Sequence, residues 1–361
     1  MDDLDKLRNE IDNIDCQMVK LFERRMETVL KIGEYKKRNH MPILDKDREE
    51  MIIKKNIAHL KNRYFHKSAV AFFGSIMEIS RNLQEESIEE KLGVKLYGLI
   101  GEKLIHSFSP DIHENILKKL KIKGHYHLFE VKRENLKTAL YGLKALGISG
   151  VNVTIPYKVD IIKYLDELSE EAKRIGAVNT ICFKEGQIIG YNTDYYGFGK
   201  MLHRNDIKIK NKKAVVLGTG GASKAVVQYL LDYGIGQIAI VSRDAHKGKE
   251  KYKEFLVVDY EAVKALKGYD MIINCTPCGM YPHIDCSPVK KEELLNFNTA
   301  VDLIYNPQET LFLKNAKTEG LKAVNGLYML VGQALKAQEL WNDLKIDYSI
   351  CDEVYKKLLT I

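Results

Sequence analysis

Residues 214–231 contain the feature that most constrains the fold of this chain. An apolar run from Ala214 to Leu217 leads directly into Gly218-Thr-Gly220-Gly-Ala-Ser, and an apolar helix is predicted from Val226 to Leu231. Glycines between a strand and a helix permit a tight turn and let backbone N–H groups approach a pyrophosphate. The segment therefore predicts a doubly wound α/β domain that binds a dinucleotide, and a glycine-rich turn without a ligand is the alternative. The candidate cofactor-binding residues are Gly218, Gly220, Gly221 and Ala222.

The next predicted strand selects the type of dinucleotide. It runs from Gln237 to Val241 and ends in Ser242-Arg243, where an NAD-dependent enzyme would carry an acid for the ribose hydroxyls. A neutral residue followed by an arginine suits the 2′-phosphate of NADP. Asp244 opposes this interpretation, because its carboxylate would repel that phosphate unless Lys247 compensates. We expect NADP as the cofactor, with Ser242 and Arg243 in its site.

The hydrophobic pattern changes once along the chain. Residues 1 to about 91 are predicted to be helical, with Gly33, Pro42 and Gly74 as breakers. From residue 95 onward, short apolar strands alternate with helices, which is typical of α/β folds with largely parallel sheets. Strands are predicted to begin at Lys95, Gly150, Ala214, Gln237 and Met271.

An apolar seam marks the first helix. Its spacing of alternating threes and fours predicts one long helix that reaches about Arg38, roughly 50 Å at 1.5 Å per residue. A lone small domain cannot bury both ends of such a helix, so the seam predicts a dimer of interleaved three-helix chains. The seam consists of Leu4, Leu7, Ile11, Ile14, Met18 and Leu21.

Polar residues continue the apolar faces of this helical region. Arg25 follows the seam, Val29 or Thr28 and then Ile32 come next, and Lys36 lies about 20° from Arg25 around the helix. A cation in an apolar seam is costly unless it meets a counter-charge. Together with Ser80 and Gln84, which extend the stripe of the third helix, these residues favour a polar cavity that receives a dianion. Spacing alone, however, favours the alternative, a dimerisation bundle with snorkelling arginines.

The composition excludes several classes of protein. The net charge is +7, but the lysines are spread along the whole chain without aromatic-rich basic clusters, which argues against nucleic-acid binding and suits anionic substrates. No apolar run approaches the roughly 20 residues of a membrane span. The acidic N-terminus is unlike a signal peptide, and six scattered cysteines suit a reducing compartment. We therefore expect a cytoplasmic protein.

One cysteine cluster raises the possibility of zinc. Cys275, Cys278, His283 and Cys286 could form a zinc knuckle. Cys275, however, ends an apolar strand, and the glycine and proline that follow it fit an ordinary loop. We expect unligated thiols and no metal site.

Hydride transfer to a carbonyl requires a group that supplies or accepts a proton. Lys158 is predicted to open a helix after the strand that ends at Pro156, and the dipole of that helix would lower the pKa of the lysine. Asp194 in Gly190-Tyr-Asn-Thr-Asp is a second candidate. Spacing alone favours a solvated lysine and a turn aspartate.

From residue 95 to the C-terminus the chain strongly resembles shikimate dehydrogenase. The resemblance rests on ordered motifs: His106-Ser-Phe-Ser-Pro-Asp-Ile-His113, Asn152-Val-Thr-Ile-Pro-Tyr-Lys158, Gly176-Ala-Val-Asn-Thr180, Asn192-Thr-Asp194, the glycine turn and Gly326-Leu-Tyr-Met-Leu-Val-Gly-Gln333. It implies that Lys158 and Asp194 form the catalytic pair. It also implies that the helix bearing Gln333 folds back onto the first lobe.

The same resemblance implies the substrate and cofactor residues. Ser107 and Ser109 would bind the substrate carboxylate, although a helix-capping role is an alternative for both. Tyr305 would lie near the substrate, and Thr276 and Met329 near the cofactor. The ring hydroxyls would be held by Thr154, Asn179 and Gln333, the last of which could instead be a helix surface residue.

Residues 4–84 resemble the helical bacterial chorismate mutases. The matching residues include Leu7-Arg8, Glu23-Arg-Arg25, Gly33 with Lys36, Asp45-Lys-Asp-Arg48-Glu49, Ser80 and Gln84. The resemblance implies that Arg25, Arg48 and a partner chain's Arg8 grip the two carboxylates of chorismate. Lys36 and Gln84 would face the ether oxygen and Glu49 the ring hydroxyl. Asp45 and Ser80 would also line the substrate site.

The two resemblances imply a multidomain, bifunctional enzyme of the shikimate pathway. The expected domains are an all-α chorismate mutase domain (1–91), a shikimate-binding α/β domain (95–196 plus 325–361) and a Rossmann NADP-binding domain (197–324). The expected reactions are reversible reduction of 3-dehydroshikimate to shikimate and rearrangement of chorismate to prephenate. A dehydrogenase with a non-catalytic dimerisation or chorismate-sensing bundle is the alternative.

Overall fold

The chain divides into two compact units, residues 1–94 and 95–361. The computed structural model describes residues 3–39, 41–42, 44–104 and 107–359, with the backbone alone for residues 37, 46 and 85–92. His106 of the first motif therefore lies outside the described residues. Within the described part of the chain, no helix combines the length and apolarity that a membrane crossing requires.

The described residues of the first unit form three α-helices, as predicted, with a short 3-10 helix (Arg63–Phe65) before the third. They are α1 (Asp3–Arg38), α2 (Lys46–Ile57) and α3 (His66–Leu92), and α3 packs against both of the others. The predicted end of the first helix at Arg38 is confirmed. Met26, Val29 and Met77 are the buried apolar residues of this unit.

The positions after the seam differ in exposure within the single chain. Val29, one of the two candidates after Arg25, is 8% exposed, whereas Ile32 is 44% exposed. All six seam residues from Leu4 to Leu21 are exposed within the single chain.

The second unit begins with a mixed six-stranded sheet in the order β2-β1-β3-β5-β6-β4. Strands β1, β2 and β3 are mutually parallel, but β5 is antiparallel to β3 and to β6. Glu185 and Gly186, both at positive φ, form the two-residue turn between β5 and β6. The prediction of largely parallel sheets therefore missed this hairpin. The elements are β1 (Lys95–Gly101), α4 (Ser109–Lys119), β2 (Gly124–Glu130), α5 (Leu136–Ala145), β3 (Gly150–Val153), β4 (Glu167–Leu168), α6 (Glu170–Ile175), β5 (Thr180–Lys184), β6 (Gln187–Tyr191) and α7 (Thr193–Arg204).

The second sheet is parallel throughout, in the order β12-β11-β10-β7-β8-β9. Leu217 at the end of β7 pairs with Asn274 at the end of β10 and with Val241 at the end of β8. The loops that carry the glycine turn, Ser242 and Thr276 therefore leave the same edge of the sheet, where ligands bind in such folds. The elements are β7 (Lys213–Leu217), α8 (Gly221–Asp232), β8 (Gln237–Val241), α9 (Ala245–Lys251), β9 (Leu256–Val258), β10 (Met271–Asn274), β11 (Thr299–Asp302), α10 (Leu311–Thr318), β12 (Lys322–Val324), α11 (Leu327–Asn342) and α12 (Ser349–Leu358).

Helix α11 returns to the first sheet after the nucleotide lobe, as the resemblance implied. It crosses α7 at a glycine contact, where a Cβ on Gly197 would lie 2.4 Å from the Met329 carbonyl oxygen and one on Gly332 would lie 3.3 Å from the Gly197 Cα. At its far end, the Trp341 indole N–H donates to the Ile181 carbonyl oxygen at 2.9 Å. This close crossing brings Gln333 to the start of α7.

Candidate active sites

A lysine and an aspartate form the centre of the second unit's site. Lys158 Nζ lies 2.6 Å from Asp194 Oδ2, and the two side chains are only 15% and 9% exposed. The backbone holds both residues in place: the Lys158 carbonyl oxygen accepts from the Val178 N–H at 2.7 Å, and Asp194 lies in the first turn of α7. An ion pair with so little exposure to solvent is a typical arrangement for proton transfer.

The local structure of Lys158 differs from the prediction. Residues 155–159 form turns, and the helix that follows is a five-residue 3-10 helix, Asp160–Tyr164, with Val159 as its N-cap. The lysine therefore does not open an α-helix. The charged group in contact with its ammonium is the Asp194 carboxylate.

Asn179 connects Asp194 to the returning helix. Its Nδ2 donates to Asp194 Oδ1 at 2.9 Å and approaches Gln333 Oε1 at 3.4 Å. Its Oδ1 accepts from the Thr193 N–H at 2.6 Å. Gln333 is 7% exposed, so the alternative of a helix surface residue does not hold. The structure thus brings Lys158, Asp194, Asn179 and Gln333 together.

Two serines and a tyrosine lie at the start of α4. Ser109 begins this helix and is buried, and its N–H donates to Ser107 Oγ at 3.3 Å. The N-cap of α4 is Phe108, which makes no capping bond, so neither serine is the N-cap. The ring of Tyr305 lies 5.4 Å from that of Phe108, and burial raises the pKa of this phenol. Thr154 is half-buried just beyond β3, where its N–H donates to the Ile100 carbonyl oxygen at 2.9 Å.

A buried polar network behind these residues was not predicted. Tyr126 donates its hydroxyl to Asn152 Oδ1 at 2.8 Å, and Asn152 Nδ2 donates to Thr180 Oγ1 at 2.9 Å. His113 stacks on Tyr126 with the ring centroids 4.1 Å apart, and burial lowers its pKa to about 3. The available signal was the run of polar residues, among them Asn152 and His113, within apolar segments, since buried polar groups require partners.

The glycine turn has the geometry of a phosphate cradle. Gly218 has φ +102°, and a Cβ there would lie 2.9 Å from Thr276 Cγ2. Gly220 is the N-cap of α8 without a side-chain bond, and a Cβ on it would meet open space. First-turn N–H groups of a helix lack intrahelical acceptors. Gly221 and Ala222 contribute these groups, so the residues present fit a bound pyrophosphate.

The position of the usual third glycine is occupied by a hydrogen-bonded serine. Ser223 is fully buried, its hydroxyl donates to the Gly220 carbonyl oxygen at 2.7 Å, and it lies 3.0 Å from the Tyr252 hydroxyl. The serine in place of the third glycine therefore stabilises the turn through its hydrogen bonds.

The residues after β8 show which groups contact the Asp244 carboxylate. Asp244 caps α9 by accepting from the Lys247 N–H at 3.0 Å, and the Lys247 ammonium lies 3.2 Å from its other oxygen. These hydrogen bonds lower the pKa of Asp244. Ser242 is buried with its hydroxyl donating to the Asp244 carbonyl oxygen, whereas Arg243 is exposed. Asp244 is thus engaged by its own helix, while Arg243 faces solvent.

The remaining cofactor candidates have different surroundings. Thr276 lies against Gly218, as described above, and donates to Asn274 Oδ1 at 2.6 Å. Met329 is 6% exposed and belongs to the hydrophobic core in which α7 and α11 pack. The structure therefore brings Thr276 to the glycine turn and places Met329 at the helix crossing.

In the first unit, α1 and α3 bury a polar set. Arg25 Nη1 lies 2.5 Å from Ser80 Oγ, and Gln84 Nε2 donates to the Val29 carbonyl oxygen at 2.8 Å. Gly33 allows this approach, since a Cβ there would be 3.2 Å from Gln84 Cγ. Ser80 and Gln84 are buried, and burial lowers the pKa of Arg25, although a guanidinium remains charged.

Glu49 has a partner that the sequence did not reveal. Arg81 Nη1 lies 2.6 Å from Glu49 Oε2, and both side chains are partly buried. With Leu44, Glu50 and Ile53 they line an open cavity of about 400 Å³. Arg81 follows Ser80 on α3, so its position beside the predicted stripe was the only available signal.

The other predicted residues of this unit lie outside that buried set. The Asp45 carboxylate caps α2 by accepting from the Arg48 N–H at 3.0 Å, and the Arg48 side chain is exposed. Lys36 is half-buried on α1. Arg8 is exposed, 3.8 Å from Asp5, which is a weak surface pair.

The glycine turn lies against Lys158, since a Cβ on Gly221 would be 3.0 Å from the Lys158 Cβ. A glycine turn beside a buried lysine–aspartate pair defines a two-lobed, dinucleotide-dependent oxidoreductase, preceded here by a helical unit with a half-buried arginine. Comparison with known proteins agrees. The shikimate dehydrogenase substrate-binding domain matches residues 99–181, the shikimate/quinate 5-dehydrogenase family residues 200–291, and chorismate mutase type II residues 7–85. The chain belongs to the shikimate dehydrogenase family and carries a chorismate mutase domain in front of it. The predicted fold class and fusion are confirmed.

Three similar proteins illustrate the match. A shikimate dehydrogenase (NADP⁺) of Clostridium beijerinckii is 51% identical over 264 residues, which cover 73% of this chain and 97% of that protein. The crystal structure of a chorismate mutase/shikimate 5-dehydrogenase fusion protein from Clostridium acetobutylicum superimposes with a TM-score of 0.72 at 54% identity, covering 74% of this chain and 98% of that chain. Shikimate 5-dehydrogenase from Thermus thermophilus, solved with NADP(H) and shikimate, gives a TM-score of 0.65 at 33% identity, with 73% and 99% covered.

Proposed function

We propose that this chain catalyses two reactions of the shikimate pathway. Residues 95–361 reduce 3-dehydroshikimate to shikimate with NADPH and a proton, reversibly. Residues 1–94 rearrange chorismate to prephenate. The observation that carries the first assignment is the Lys158–Asp194 pair, 2.6 Å apart and directly beside the glycine turn. The second rests on the Arg25–Ser80–Gln84 set, together with the match to chorismate mutase type II.

The dehydrogenase mechanism follows from what the residues can hold. NADPH, when bound, supplies a hydride to the substrate carbonyl carbon. Gly218, Gly220, Gly221 and Ala222 would hold its pyrophosphate, and Arg243 its 2′-phosphate. Ser242 and Thr276 would stabilise the loops that form this site. Met329 would contribute indirectly, by packing helix α11 in place.

The substrate side of the cleft supplies orientation and a proton. Lys158 and Asp194 exchange a proton with the carbonyl oxygen as the alcohol forms. Asn179, Thr154 and Gln333 orient the ring hydroxyls, and Ser107, Ser109 and Tyr305 receive the carboxylate end. Because Asn179 bonds to both Asp194 and Gln333, it couples ring binding to the orientation of the acid–base pair.

The mutase reaction requires neither a proton donor nor a covalent step. Chorismate rearranges by a pericyclic shift, so binding the reactive conformer and stabilising the ether oxygen suffice. We assign Arg25 and Arg48 to the carboxylates, Lys36 and Gln84 to the ether oxygen, and Glu49 to the ring hydroxyl. Ser80 orients Arg25, and Asp45 orients Arg48 by capping its helix.

We propose that the first units form a homodimer. Six apolar residues from Leu4 to Leu21 are between 44% and 65% exposed in the single chain, and a second copy of α1 would cover them. Arg8 on the same stretch would then complete the partner's mutase site.

We further propose the division into three domains, residues 1–91, residues 95–196 plus 325–361, and residues 197–324. We also propose a cytoplasmic location, because all six cysteines are free thiols.

One experiment tests both activities. The whole chain and separate chains of residues 1–94 and 95–361 are assayed for prephenate formation and for shikimate-dependent reduction of NADP⁺. We expect each half to carry one activity and the whole chain both. A whole chain that reduces NADP⁺ but forms no prephenate would support the non-catalytic bundle instead.

A further inference from the structure

Two cysteines beside the nucleotide turn lie in direct contact. Cys278 Sγ and Cys286 Sγ are 3.0 Å apart in the loop that follows β10. The Gly279 N–H donates to Cys286 Sγ at 3.0 Å, and Cys286 lies 3.4 Å from the His283 carbonyl oxygen. Both residues are half-buried free thiols. The loop therefore holds a preformed dithiol.

This pairing differs from the one that sequence spacing favours. Cys275 and Cys278 are separated by two residues, the spacing of many redox-active motifs. Cys275, however, packs against the hydrophobic core. Among the described residues, no group of three or more His, Cys, Asp or Glu side chains is placed to hold a metal ion.

The dithiol is connected to the cofactor turn through one residue. The Cys278 N–H donates to Thr276 Oγ1 at 3.3 Å, and a Cβ on Gly218 would lie 2.9 Å from Thr276 Cγ2. A disulfide requires an S–S distance of about 2.05 Å, so bond formation must draw the two sulfurs together by about 1 Å. Where this closure shifts the Cys278 backbone, the hydrogen bond to Thr276 would carry the shift to the turn.

We propose that Cys278 and Cys286 form an oxidant-responsive site whose reversible disulfide weakens dinucleotide binding. The oxidant is a peroxide. The Cys286 thiolate, stabilised by the Gly279 N–H, attacks one peroxide oxygen, the O–O bond breaks, and the leaving oxygen takes a proton. Cys278 sulfur then attacks the sulfenic sulfur; the S–S bond forms, and the hydroxyl departs with the Cys278 proton as water. The two thiols lose two electrons and the peroxide gains them.

The chemical test uses the full chain with hydrogen peroxide. After alkylation of the remaining thiols and digestion with trypsin, all three cysteines of this region lie in one peptide, residues 268–290. Tandem mass spectrometry is expected to locate a bond between Cys278 and Cys286 in the wild type, in Cys275→Ser and in the control Cys16→Ser. In Cys278→Ser, a sulfenic acid trapped on Cys286 by dimedone is expected. Free Cys278 and Cys286 after oxidation, or a bond from Cys275 to Cys278, would overturn the site.

The kinetic test rests on the proposed dehydrogenase function. Oxidised protein should show a KM for NADP⁺ raised roughly 10-fold, because displacements of about 1 Å at a binding turn have large effects. Dithiothreitol should restore it, Cys286→Ser should not respond to peroxide, and mutase activity should stay constant as an internal control. A disulfide with an unchanged KM would overturn the coupling. If reduced protein has no dehydrogenase activity, the proposed function fails, while mass spectrometry still decides whether the dithiol closes.

Discussion

Gly221 lies against Lys158: a Cβ at position 221 would be 3.0 Å from the Lys158 Cβ and 3.3 Å from its Cδ. The start of the nucleotide-binding helix therefore contacts the stem of the proposed proton-transfer residue directly. Hydride and proton must reach the two atoms of the same carbonyl group, so this contact fixes the separation between the two donors.

A methyl group at this contact should damage the dehydrogenase selectively. We expect Gly221→Ala to lower its kcat by about 10-fold, because Lys158 must shift by several tenths of an ångström. Gly142→Ala is the matched control, since a Cβ there meets nothing within 4 Å. Steady-state kinetics of both reactions measures the effect. Equal kcat values for the two variants would mean that the contact does not position the lysine.

Removal of either member of the ion pair should abolish most turnover. We expect Lys158→Ala and Asp194→Asn each to lower kcat for shikimate oxidation by on the order of 10²-fold or more, the size of general acid–base effects, with little change in shikimate affinity. Stopped-flow or steady-state measurement of NADPH formation, with equilibrium binding of shikimate, separates the two quantities. Near-normal turnover in one variant would remove that residue from the mechanism.

Arg243 should decide the choice of dinucleotide. Arg243→Ala is expected to weaken NADP⁺ much more than NAD⁺, since only the former carries the 2′-phosphate that a guanidinium can grip. Lys249→Ala, an exposed charge on the neighbouring helix α9, serves as the control and should leave the ratio of KM values unchanged. Equal losses for the two dinucleotides in the Arg243 variant would place it outside the phosphate site.

Mixing two inactive mutases should restore activity if the sites are shared. Arg8 and Arg25 are 17 positions apart on the one continuous helix α1, which separates them by roughly 25 Å along the axis. One small ligand cannot reach both from the same chain. Equal amounts of Arg8→Ala and Arg25→Ala chains should recover about a quarter of the wild-type mutase activity after subunit exchange, because half of the dimers are mixed and each has one intact site. Verified exchange without recovery would exclude the shared site.

His113 should make the second unit sensitive to acid. Burial lowers its pKa to about 3 in the folded state, whereas an unfolded histidine titrates near 6.5. Between these values the unfolded state binds the extra proton, so the free energy of unfolding should fall as the pH drops from about 6.5 toward 3, by up to about 1.4 kcal/mol per unit.

The fluorescence of Trp341 can measure this pH dependence of the free energy of unfolding. This residue is the only tryptophan of the chain and lies in the second unit, with its ring 5.3 Å from that of His113. Urea unfolding followed by its fluorescence therefore reports on this unit. His113→Phe, which keeps a ring on Tyr126 but cannot titrate, should flatten the dependence on pH. An equal slope in both proteins would assign the acid sensitivity to other groups.

Local sequence patterns predicted the parts of both sites that depend on local structure. The glycine turn is contained in one strand–turn–helix segment, and Lys158, Asn179 and Asp194 each lie in a short motif. Their convergence follows from strand order, which alternation of strands and helices indicates only in part. The β5–β6 hairpin, formed by a two-residue turn of Glu185 and Gly186, illustrates the limit, because that alternation suggested parallel neighbours.

Contacts between distant elements escaped prediction. Arg81 meets Glu49 only because α2 and α3 pack together, and its position beside Ser80 is one that a solvated arginine would also occupy. Cys286 pairs with Cys278 instead of the nearer Cys275 because the loop doubles back at Gly279.

The return of α11 to the first sheet has a consequence for synthesis of the protein. Strands β1 to β6 leave the ribosome long before α11, yet that helix supplies Gln333 and packs Trp341 against β5. The apolar face of the first lobe that α11 covers therefore stays exposed in the nascent chain until the whole nucleotide lobe has been translated. A chain that ends before Leu327 would keep the helical unit and strands β1 to β12, but its first lobe would lack the helix that packs beside Asn179.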